Sequence, residues 1–99
     1  MNDIYHILVD SRKIEKDFHK LLDRLNEEQH ISLRKILTTY PKGTSTTHWK
    51  IKKVKKDIWQ CDLHDGYRIA YTILDKPSKT VLILFAGNHD DAAAFLRDK

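Results

Sequence analysis

Apolar and polar residues alternate through IYHILVD (residues 4–10), the two-residue period of a strand with one buried face. The period then changes. Ile14, Phe18, Leu21, Leu22 and Leu25 recur at three- and four-residue spacing, predicting an amphipathic helix capped by Asp10 or Ser11. Leu33, Ile36, Leu37 and Tyr40 mark a second helix, ended by Pro41 and Gly43. Two such stripes predict a helical hairpin lying on a sheet. PKGTSTT (41–47) reads as a loop, and four strands follow with no helix between them, roughly 48–55, 57–64, 67–75 and 80–88. Their short connections, Lys56-Asp57, Asp65-Gly66 and KPSK (76–79), predict antiparallel hairpins. VLILFA (81–86) is apolar on both faces and is expected to be the central, most buried strand. A short helix beginning near His89 closes the chain. The pattern predicts an α+β fold: strand, two-helix hairpin, antiparallel β-meander and short C-terminal helix, in one domain spanning 1–99.

Composition narrows the class. The 99 residues, 40% hydrophobic and 32% charged, suit one globular core. A single cysteine, Cys61, excludes an internal disulfide and fits a reducing compartment. MNDIYHILVD has neither the basic head nor the long apolar run of a secretory signal, and no stretch approaches the roughly 20 apolar residues of a membrane span. A cytoplasmic protein is the expectation. Of the net charge of +4, the telling part is HWKIKKVKK (48–56), with five lysines and no acid. Lys50, Lys52, Lys53, Lys55 and Lys56 make a local field suited to phosphates or an acidic partner. The same lysines would also protect a strand edge from aggregation. Sequence alone leaves both readings open.

Alternation sorts the candidate chemistry. Trp59, Cys61 and Leu63 share one face, leaving Gln60, Asp62 and His64 on the other; on the next strand Arg68 falls opposite in parity to Tyr67, Ile69 and Tyr71. If the Trp59 side meets the helices, Asp62, His64 and Arg68 meet on the far face near the turn. AGNHDD (86–91) carries the last strand into a helix start, where His89 would meet exposed N–H groups that favour anions. Arg68, His64 and His89 then outline a phosphate-facing concavity beside the lysine strand. The alternative is structural: Arg68 pairs with Asp62 or Asp65 across the hairpin. Trp49 and Trp59 are candidates for base stacking, with packing favoured for Trp59. The lone cysteine and scattered histidines lack paired-ligand spacing, so neither metal nor cofactor is expected.

These residues carry a resemblance. The turn and strand DGYRIAYTI and the segment AGNHDDAAAF, set in a strand–helix–helix–meander order, resemble the RelE/ParE superfamily of bacterial toxin–antitoxin toxins along nearly the whole chain. The resemblance implies a metal-independent, ribosome-dependent mRNA endoribonuclease (an mRNA interferase) that inhibits translation and arrests growth. It also implies a cognate antitoxin as partner, with DNA contact only through that antitoxin. A branch of the superfamily poisons DNA gyrase instead, and an inactive relative would serve as an antitoxin-bound co-repressor module. Arg68 matches the family's arginine after Gly-Tyr, tied to stabilising the transition-state phosphate. His89 matches a basic position after the last strand, and Phe95 falls near an aromatic of the terminal helix. Several members carry lysines in the strand before the turn, where this chain has Gln60, Asp62 and, nearer the turn, His64. The resemblance therefore points to Arg68, His89 and His64 as catalytic residues, with Lys50, Lys52, Lys53, Lys55, Lys56 and Phe95 contacting RNA.

Overall fold

The computed structural model describes residues 4–43, 49–63 and 66–98. Among them the chain forms β1 (His6–Val9), α1 (Arg12–Leu22), α2 (Glu27–Thr39), β2 (Lys50–Lys55), β3 (Ile58–Asp62), β4 (Tyr67–Leu74), β5 (Thr80–Asn88) and α3 (His89–Arg97). This is the α+β order that the periodicity predicts. Ser11, not Asp10, caps α1 by accepting the Ile14 N–H at 3.3 Å. At α2, Asn26 and Gln29 satisfy each other's backbone N–H groups at 2.9 Å, a reciprocal capping box. Tyr40 lies beyond the last turn of α2 as its cap and is exposed.

The five strands make one mixed sheet in the order β1-β5-β4-β3-β2, with β1 parallel to β5 and every other pair antiparallel. VLILFA is therefore interior but off-centre, and β4 takes the middle. The first strand pairs with the last, a non-local choice that no local hydrophobic run encodes. One sheet face receives Phe18 and Leu21 of α1 and Leu33, Ile36 and Leu37 of α2. They pack with Cys61, Ile69, Tyr71, Val81, Ile83 and Ala86 into a single buried cluster. Trp49 is buried in the same cluster, at 3% exposure, so it packs in the core and presents no stacking surface. On the other face α3 covers one end of β4 and β5, with Phe95 stacked on Phe85 at 5.3 Å. No helix of the described residues is long and apolar enough to cross a membrane.

Tyr71 ties the loop after α2 to the middle of the sheet. Its buried hydroxyl donates to the Pro41 carbonyl at 2.7 Å. Phenylalanine would keep the ring but strand that carbonyl, so Tyr71→Phe should cost about 1–2 kcal/mol. The urea midpoint should fall with little change in slope; an unchanged midpoint would mean that water satisfies Pro41 equally well.

Candidate functional site

The site grows from the β3–β4 register. Cys61 sits opposite Ile69 and Trp59 opposite Tyr71, so burying that face against the helices turns Gln60, Asp62, Arg68 and Ala70 to the other side. Asp62 and Arg68 are direct cross-strand partners. The Arg68 Nε lies 3.1 Å from Asp62 Oδ1, with the two side chains only 18% and 20% exposed. Gln60, buried with 6% of its surface exposed, donates from Nε2 to the same oxygen at 2.7 Å. Arg68 Nη1 also donates to the Tyr67 carbonyl at 3.1 Å. The guanidinium is thus fixed at two of its nitrogens. The cross-strand pairing with Asp62 that alternation allowed is present, and it does not remove Arg68 from the open face.

The register extends this row in both directions. Lys50 pairs with Asp62 and Lys52 with Gln60, placing both lysines on the Arg68 face. A bulge between Lys53 and Lys55 changes the phase. Lys53, opposite Trp59, stands on the helix-covered face, whereas Lys55, opposite Ile58, returns to the Arg68 face. Lys56 lies in the two-residue turn, where Asp57 takes the left-handed φ of 66° that aspartate tolerates. On the other flank Arg68 pairs with Gly87. A Cβ on Gly87 would come within 2.9 Å of the Phe85 ring, so the missing side chain lets that ring lie over the strand beside Arg68. Phe95 stacks on Phe85 from α3 and is half-buried, so one of its faces is taken up by the Phe85 ring.

His89 opens α3 two residues past Gly87 and is exposed, at the same end of the sheet as Arg68. Asn88 caps the helix by accepting the Asp91 N–H at 2.8 Å. His64 lies outside the described residues. Parity in the sequence put Gln60 and Asp62 on the Arg68 face and offered Asp62 as a cross-strand partner of Arg68. The structure adds that Gln60 and Arg68 converge on the same carboxylate oxygen, which alternation does not encode. Beside the site, a groove of about 690 Å³ runs between α1 and α3 along Leu84–Asn88, the part of β5 that β1 does not reach. No cluster of three or more potential metal ligands occurs among the described residues.

Comparison with known proteins adds fold alone. No protein-family model matches the chain, and no curated protein matches its sequence. The solution structure of a conserved hypothetical protein, HP0892 from Helicobacter pylori, superposes with a TM-score of 0.59 at 19% identity, covering 90% of this chain and 99% of that one.

On the covered face, two groups are removed from chemistry by burial. Burial, then the Asp62 charge, pushes the Cys61 thiol from 9.0 up to about 12, with Arg68 acting the other way. Burial, then Cys61, raises Tyr71 as well. Cys61 stays a thiol at neutral pH and is no nucleophile. The folded state keeps its proton where the unfolded chain releases it, so stability is complete below about pH 9 and falls as pH rises toward 12. Each pH unit in that window should cost up to about 1.4 kcal/mol. Cys61→Ala should flatten the stability–pH curve between pH 9 and 10, before the ordinary Tyr value of 10.0 is passed. Equal slopes for wild type and variant in urea titrations would contradict the buried-thiol assignment.

Proposed function

We propose that this protein is a toxin of the RelE/ParE superfamily, a cytoplasmic, metal-independent endoribonuclease that cuts mRNA at the ribosome and is held in check by a cognate antitoxin. The observation that carries the reading is the row Lys50–Asp62–Arg68–Gly87, ending beside His89. A guanidinium cannot usefully give up its proton, but when locked in place it stabilises the charge that develops on a phosphorane. Lys50, Lys52 and Lys55 on the same face supply phosphate affinity without reading base identity. The ion pair on Arg68 favours a second reading, a relative that cuts nothing and either inhibits gyrase directly or serves as an antitoxin-bound co-repressor module.

Induction of the wild-type protein in growing bacteria separates the two. Cleavage predicts rapid loss of amino-acid incorporation, transcripts cut inside coding regions and unchanged plasmid supercoiling. Arg68→Ala should lower cleavage about 10²-fold or more while antitoxin binding persists. Whole transcripts with collapsed supercoiling would replace this reading with gyrase inhibition.

The lysine geometry gives a separate expectation. Replacing Lys50 and Lys52 together should reduce the salt slope of RNA or ribosome binding by about two, whereas Lys53→Ala should leave it unchanged. Equal effects at all three would mean that the lysines act as a diffuse, solubilising surface.

A further inference from the structure

Transfer of a phosphodiester to its own 2′-OH needs a proton acceptor on one side of phosphorus and a proton donor on the other, with positive charge between them. Three adjacent strands supply that order. Asp62 on β3, Arg68 on β4 and Gly87 on β5 are cross-strand partners in one row, and His89 follows Gly87 by two residues. Strand spacing of about 4.8 Å separates the outer lines by roughly 10 Å. A phosphate seated on Arg68 would then have its 2′ oxygen toward Asp62 and its 5′ oxygen toward His89.

Within this nuclease reading, we infer that Asp62 is the general base. Among the described residues, the two donors to its carboxylate, Gln60 Nε2 and Arg68 Nε, both meet Oδ1 and none meets Oδ2. One oxygen orients the group and the other takes the proton, the kind of support a preorganised base needs. Lys50 is a poorer candidate, because it stands on the far side of Asp62 from Arg68, one strand further from the phosphate. In the step, Asp62 Oδ2 takes the 2′ proton as the 2′ oxygen bonds to phosphorus. Arg68 meets the added negative charge. The P–O5′ bond breaks, and His89 in its imidazolium form protonates the leaving oxygen. The products are a 2′,3′-cyclic phosphate and a 5′-hydroxyl, with protonated Asp62 and neutral His89 exchanging protons with water.

Asp62→Asn tests this directly, because its amide oxygen still accepts from Gln60 and Arg68 while losing the base. Single-turnover cleavage of ribosome-bound mRNA should fall about 10²–10⁴-fold, with ribosome binding near wild type and the protein still folded at the assay temperature, the weaker pairing of Arg68 lowering its thermal midpoint. Asp62→Glu, which restores a carboxylate on a longer arm, should recover part of the rate and guards against a folding defect in the first variant. An mRNA with a bridging 5′-phosphorothiolate at the cut site supplies the second arm, since a thiolate leaves without protonation. It should restore His89→Ala and leave Asp62→Asn slow. If Asp62→Asn cuts at or above the wild-type rate, Asp62 only restrains Arg68 and the inference falls while the nuclease reading stands. Rescue of Asp62→Asn by the sulfur substrate would make Asp62 part of the acid side and would also overturn it. Wild-type protein that cuts no ribosome-bound mRNA would overturn the nuclease reading itself, and this inference with it.

Discussion

One constraint fixes everything on the open face: the register in which β3, β4 and β5 pair. Cys61, Ile69, Tyr71, Val81 and Ile83 are fully buried against the helices. A slip of one residue in β4 would exchange its two faces, sending Ile69 and Tyr71 into water and Arg68 into the core. Exposing a large apolar side chain costs roughly 1.5–3 kcal/mol, and burying an unpaired cation costs more. The alternative register is therefore heavily disfavoured. The site owes its precision to hydrophobic residues that never touch it: the apolar face decides where the charges stand.

This explains which features were legible beforehand. Strict alternation in β3 and β4 separates Trp59 and Cys61 from Gln60 and Asp62, and Ile69 from Arg68, and the structure keeps that separation. The helical stripes of α1 and α2 were equally readable, because each buries one side. The bulges were not. Between Ala70 and Tyr71 the partner strand jumps from Phe85 to Ile83, so Leu84 is an extra residue. This jump sets Phe85 and Gly87 on the Arg68 face and, at the same time, keeps Val81, Ile83 and Ala86 in the core. A run as uniformly apolar as VLILFA contains no polar residue to reveal such a change of phase. The bulge at Lys53 and Lys55 was hidden for the converse reason, since lysine is tolerated on either face of an edge strand.

Charge order within the row bears on the departure from the expected lysines. Lys50, Asp62 and Arg68 alternate in sign across three strands. A lysine in place of Asp62 would hold two cations about 5 Å apart, costing roughly 3 kcal/mol at an effective dielectric constant of 20. With Arg68 only 18% exposed, solvent could relieve little of that repulsion. Asp62 instead lets a guanidinium stay partly desolvated beside a lysine strand. The same carboxylate also limits how much positive field Arg68 offers to a phosphate. On the proposed nuclease reading, such a site would rely less on bulk positive charge than on one oriented cation, with Lys50, Lys52 and Lys55 on the same face for longer-range attraction.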